Sequence, residues 1–124
     1  MKHSNKVNNV FAILLGSFLL IEGTWGLYSD VVFGILTTNA THAAIHITLG
    51  IAGIVLGFRQ NAGAFCTFLG ILLILGGLFR FIPGADEYMV RLLNMNAPAA
   101  WLNIIVGIVS LAVVYYRRPG ELKN

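Results

Sequence analysis

The feature that most constrains this chain is a succession of four apolar stretches, each close to the length that crosses a bilayer, joined by short polar connections. A hydrocarbon core about 30 Å thick takes about 20 apolar residues per helix, so four spans consume most of the 124 residues. No length is left for a separate soluble domain. Charged residues make up 10% of the chain, hydrophobic residues 57%, and the mean hydropathy is +0.81, values that place the chain in lipid. Without water to solvate the backbone, apolar segments of this length must satisfy their peptide groups internally as helices. The expected fold is all-α: a polytopic membrane four-helix bundle, with residues 1–124 as a single integral membrane domain.

The spans are expected at about 9–28, 40–58, 62–82 and 97–116. Lys2 and Lys6 precede the first in the manner of a signal sequence, but the run is long, contains Glu22 and lacks a small-x-small cleavage site, so it reads as an uncleaved helix. Apolar residues 31–36 are assigned to the membrane interface. Arg59, Gln60 and Asn61 form a tight turn, and Pro83 with Gly84 stops the third helix. Asp86, Glu87 and Arg91 mark an amphipathic connection. One side of the membrane then collects Lys2, Lys6, Arg59, Arg117, Arg118 and Lys123, against Arg80 and Arg91 on the other. The positive-inside rule places both termini in the cytoplasm, and Trp25, Tyr28, Tyr115 and Tyr116 fit interfacial aromatic belts.

The net charge of +3 therefore resides in span flanks, with no basic stripe or motif of the kind that grips nucleic acid. Nucleic acid is excluded as a partner. The one cysteine, Cys66, rules out a disulfide framework and a multi-cysteine metal site. It reads as a small apolar packing residue, and His3 as an exposed residue of a polar tail.

An internal repeat organises the chain. At an offset of 54, Phe11, Gly16 and Gly23 fall on Phe65, Gly70 and Gly77; at an offset of 57, Asn39, Ala40, His46, Gly50 and Ile51 fall on Asn96, Ala97, Asn103, Gly107 and Ile108. The expectation is two tandem helical hairpins, about 9–58 and 62–116. Two helices per copy make the repeat parallel, about an axis along the membrane normal, rather than inverted.

At 100° per residue, Asn39, His42, His46, Gly50, Gly53 and Gly57 share one face of the second span, and Asn96, Ala99, Asn103, Gly107 and Ser110 share the matching face of the fourth. Small residues let helix backbones approach closely in a membrane, so these faces should pack on another helix, the simplest arrangement setting the two stripes together around the pseudo-twofold axis with His46 and Asn103 at matching depth. Asn39 and Asn96 read as helix caps, and Pro98 suits a first helical turn.

The segment Asn39-x-x-His42-x-x-x-His46-x-x-x-Gly50-x-x-Gly53, with its relative running from Asn96 through Asn103 to Gly107, resembles the small bacterial four-helix membrane proteins of the family called domain of unknown function 4383. The resemblance implies a bacterial inner-membrane protein and supplies no activity. That family often has a histidine where this chain has Asn103, so a paired-histidine site is not implied here.

Glu22 is the chemically conspicuous residue, since a carboxyl group within an apolar span costs several kcal/mol unless it is paired, protonated or hydrated. Counted from the outer helix ends it shares a depth with His46, and Arg80 is a second candidate partner. The repeat counterparts of Glu22 and His42 are Gly76 and Ala99, so the ionisable groups sit in the first hairpin alone. Glu22, His42 and His46 suit a polar knot fixing helix register. Against it stand three site readings: a divalent transition metal held by imidazole and carboxylate, a proton pathway, and a heme ligated by one histidine. No cofactor is expected, and no activated nucleophile or phosphate-binding loop is visible. The expected role is that of a structural or accessory membrane subunit rather than an enzyme, in contact with the lipid bilayer, with a homo-oligomer or a larger membrane complex as the candidate assembly.

Overall fold

A computed structural model describes residues 6–115; Lys2, Arg117, Arg118 and Lys123, which carry part of the orientation argument, lie outside the described residues, as do His3 and Tyr116. Over the described residues the fold is all-α, with five helices: α1 (Lys6–Tyr28), α2 (Ala40–Phe58), α3 (Gly63–Phe79), α4 (Ala85–Leu93) and α5 (Ala97–Tyr115). Helices α1, α2 and α5 are long and apolar enough to cross a membrane, whereas α3 is a shorter apolar helix of 17 residues. Two helical hairpins result, because α1 packs chiefly on α2 and α3 on α5.

The third span, expected over 62–82, is thus shorter than the sequence suggested. After Phe79 the chain tightens into i→i+3 bonds, with the N–H groups of Arg80, Phe81 and Ile82 donating to the carbonyls of Gly77, Leu78 and Phe79. At about 1.5 Å per α-helical and about 2 Å per 3₁₀ residue, helix plus extension reach about 31 Å, the thickness of a hydrocarbon core.

Residues 31–36, expected to lie along the interface, instead fold back as a minimal hairpin of two-residue strands β1 (Val31–Val32) and β2 (Leu36–Thr37). Its turn residues Phe33 and Gly34 both have positive φ, 56° and 78°, as a type I′ turn requires. Phe33 tolerates this unusual conformation while its ring stacks on Phe18 and meets the edge of Trp25, at centroid distances of 5.8 and 4.9 Å. The alternation sends Val32 and Leu36 inward onto Met95, Ala99 and Ala100, while Val31, Phe33 and Ile35 stay exposed.

Glycine sets the helix approach within each hairpin, so the small-residue faces of α2 and α5, expected to meet each other across the axis, pack instead on α1 and α3. A Cβ at Gly16 would lie 2.6 Å from the Gly50 carbonyl oxygen, and one at Gly50 would lie 2.6 Å from that of Gly16. In the other hairpin a Cβ at Gly70 would meet the Gly107 oxygen at 2.9 Å, and the reciprocal distance is 2.7 Å. Between the hairpins, Leu15 and Leu19 pack with Leu69 and Leu73, and Ala12 packs with Ala62 and Cys66. The outward faces carry Leu14, Ile21, Phe68, Ile71, Ile105 and many similar side chains, the surface expected against lipid.

At the loop-bearing end the hairpins are joined by hydrogen bonds. Asn39 Nδ2 donates to the Leu92 carbonyl (3.0 Å) and Asn96 Nδ2 to the Ile35 carbonyl (2.8 Å), while Thr37 Oγ1 donates to the Asn94 carbonyl and Asn94 Nδ2 to that of Thr38.

Candidate functional site

The glycine crossing dictates what meets at the buried end of the first hairpin. In the antiparallel pair, Glu22 lies six residues beyond Gly16 and His46 four before Gly50, which at 1.5 Å per residue are about 9 and about 6 Å above the crossing. Side chains tilt toward the N-terminus of their own helix, so Glu22 leans down and His46 leans up. The two converge, with His46 Nδ1 3.8 Å from Glu22 Oε1. That spacing exceeds a direct hydrogen bond, so the two groups face each other without bonding directly and leave polar atoms that a neighbouring water can satisfy.

His42 continues the cluster one turn along α2, its ring centroid 4.5 Å from that of His46 with planes 33° apart. Its Nδ1 lies 3.1 Å from the Leu93 carbonyl oxygen. A carbonyl only accepts, so Nδ1 carries the hydrogen and donates. The residue is thereby tied to the C-terminal end of α4, in the other hairpin. Its backbone N–H is in turn accepted by Asn39 Oδ1 at 2.9 Å, the cap of α2. Asn96 Oδ1 accepts the Ala99 N–H at 3.0 Å at the start of α5.

Glu22, His42 and His46 are 8%, 5% and 5% exposed and surround a cavity of about 10 Å³, measured to the centre of a water-sized sphere, closed off by Thr38, Val32, Leu36 and Asn103 among others. That is room for about one water molecule. Asn103 enters from α5, with Nδ2 4.0 Å from Met95 Sδ. Arg80, the other partner considered for Glu22, does not line this cavity: its Nε donates to the Met95 carbonyl at 2.8 Å, and it lines a separate pocket with Asp86, Glu87, Val90 and Arg91.

Among the described residues no group of three or more His, Cys, Asp or Glu side chains is arranged to hold a metal ion. A heme macrocycle far exceeds the cavity. What the arrangement can do is hold one water between a carboxyl group and two imidazoles. Sequence reasoning did not reach Thr38 or the Leu93 carbonyl, since neither has a local signal; both arrive through docking of the loop and of α4. Of the remaining packing positions, Gly53 and Gly57 are buried on α2 against α1, where a Cβ would lie 3.0 Å from the Ala12 oxygen and 2.7 Å from the Asn9 oxygen respectively.

Among the described residues, three long apolar helices with a shorter fourth, arranged as two hairpins around buried polar groups, define a class: small integral membrane proteins of helical-hairpin build. The chain belongs to the family described as Domain of unknown function (DUF4383), whose model matches residues 9–116. The resemblance carried by Asn39, His42, His46 and Gly50 is borne out by that match. No curated protein and no solved structure matches the chain.

Proposed function

We propose that this chain is a structural or accessory subunit of the bacterial inner membrane, and that Glu22, His42 and His46 form a hydrated lock for the register of its hairpins. The observation that carries this reading is the cavity of about 10 Å³ at their centre, which admits one water and no substrate. His42 bonded to the Leu93 carbonyl supports it further, because that bond joins one hairpin to the other. Buried polar groups that specify one arrangement over its alternatives are an established use of such costly residues.

A tandem duplication underlies the proposed architecture, with both termini in the cytoplasm and a pseudo-twofold axis along the membrane normal. Contacts recurring at the two sequence offsets support it. Gly16 with Gly50 corresponds to Gly70 with Gly107, and Gly23 against the Ala43 oxygen and Ile47 corresponds to Gly77 against the Ala100 oxygen and Ile104. Leu15 and Leu19 pack on their own counterparts, and the bonds from Asn39 and Asn96 to Leu92 and Ile35 exchange partners across the axis.

The second reading is a proton-handling site, favoured by a carboxyl and an imidazole 3.8 Å apart beside room for a water. The two separate by mutation in purified, reconstituted protein. Under the lock, Glu22→Gln and His46→Ala lower the melting temperature in detergent and leave proteoliposome proton flux at the background of empty vesicles. Unchanged melting with loss of a flux that the wild type displays transfers the cluster to the second reading. Elemental analysis and an absorption spectrum of the same preparation test metal and heme directly.

A further inference from the structure

We propose that the pocket between the end of α3 and the helix α4 binds the headgroup of an aminophospholipid, taking its phosphate on Arg80 and Arg91 and its ammonium on Asp86 and Glu87. The inference needs only that the chain is embedded in a membrane and is independent of the register lock. Four of the five residues lining this pocket are charged, two of each sign, and the fifth is Val90. No ion pair within 4 Å joins these charges to one another among the described residues. Inside the protein Arg80 Nε donates to the Met95 carbonyl and Asp86 Oδ1 accepts the Gly84 N–H; neither bond involves Glu87 or Arg91. The site is a shallow, open depression of about 380 Å³ to the centre of a water-sized sphere, with Glu87, Val90 and Arg91 exposed and Arg80 and Asp86 half-buried, a shape that suits a headgroup lying along the surface rather than an enclosed small molecule.

Placement argues for lipid. Arg80 follows directly on the apolar helix α3, where a side chain reaches the headgroup level. On α4, Met89 and Leu93 pack onto the buried cluster of Val32, Leu36, Met95, Ala99 and Ala100, and Glu87 and Arg91, two residues out of phase, are turned about 200° away from them. The apolar side chains of Phe79, Phe81, Ile82, Tyr88 and Leu92 are exposed around the same end, and Phe81 contacts Trp101 at 5.3 Å, a setting suited to the interface between headgroups and acyl chains. A purely anionic lipid would leave the two carboxylates facing its phosphate. A lipid bearing both a phosphate and an N–H-donating ammonium satisfies both pairs, with the arginines as phosphate forks.

The test uses the full chain in nanodiscs of equimolar phosphatidylethanolamine, phosphatidylcholine and phosphatidylglycerol, transferred to mild detergent, with retained lipids counted by native mass spectrometry. The expected result is one phosphatidylethanolamine held with about tenfold preference over phosphatidylcholine, the effect of charge-assisted hydrogen bonds that a trimethylammonium cannot make. Glu87→Gln removes that preference, and Arg91→Gln lowers retention of both lipids, with helical circular dichroism unchanged. A series of N-methylated phosphatidylethanolamines on the unmodified protein gives a reading that needs no variant, with retention falling as N–H groups are replaced. Equal retention of the three lipids, selective retention of phosphatidylglycerol, or indifference to N-methylation overturns the proposal.

Discussion

Gly16 and Gly50 show how much one hydrogen atom in place of a methyl group decides. Each would place a Cβ 2.6 Å from the other's carbonyl oxygen, a distance real contacts do not allow, whereas a Cβ at Gly76 would find its nearest atom, the tip of Met89, at 4.0 Å. Gly50→Ala and Gly107→Ala should therefore each destabilise the protein by about 1–3 kcal/mol through overpacking, and Gly76→Ala should be neutral or slightly stabilising because alanine is the better helix former. Thermal unfolding of the three variants in one detergent distinguishes them. Gly50 and Gly107 were legible in the sequence because helical periodicity places each on the small-residue face of its own span, whereas Gly16 entered only through the repeat. The approach of Glu22 to His46 was likewise readable from depth along two antiparallel helices. The bond from His42 to the Leu93 carbonyl was not, because it depends on how one hairpin docks on the other, and no pattern within either segment encodes that. Arg80 misled for a related reason: its depth suits Glu22, but its direction is set by the turn after Phe79 and the carbonyl of Met95.

At the scale of elements, the loop-bearing ends do more than connect helices. Asn39 and Asn96 each cap a helix with Oδ1 and reach the opposite hairpin with Nδ2. Alanine at either position removes both bonds, so Asn39→Ala and Asn96→Ala should each lower stability by about 1–3 kcal/mol, more than a simple cap, as measured by unfolding in micelles. Aspartate, which keeps the acceptor and loses the donor, should recover part of the difference. The capping role is written in the sequence; the reach to Leu92 and Ile35 is not. Residues 31–36 differ from their expected interfacial course for a similar reason. Their apolar content fits either a surface or a core, and only the turn at Phe33 and Gly34 fixes the alternation that buries Val32 completely, at 0% exposure. The left-handed Asn94 at φ 50°, which closes α4 with its N–H on the Val90 carbonyl, is an asparagine cap of the usual kind.

For the whole molecule, the fold follows from few terms. Apolar helices gain nothing from burial against one another in lipid, so close glycine packing and polar bonds between hairpins have to hold the bundle together. The proposed orientation places the α2–α3 turn in the cytoplasm and α4 outside. In a Cys66→Ala background, a membrane-impermeant maleimide added to intact cells should label Glu87→Cys and spare Asn61→Cys, and inverted vesicles should give the reverse. The same pattern on both preparations would contradict that orientation.

A double-mutant cycle on unfolding free energy probes the proposed lock between Glu22 and His46. Removing one member strands the other in an apolar span, so Glu22→Leu or His46→Leu alone should cost more than the pair together, with a coupling of about 1–3 kcal/mol. The double variant should recover stability toward that of the wild type. Single variants as stable as the wild type, or losses that simply add, would contradict it.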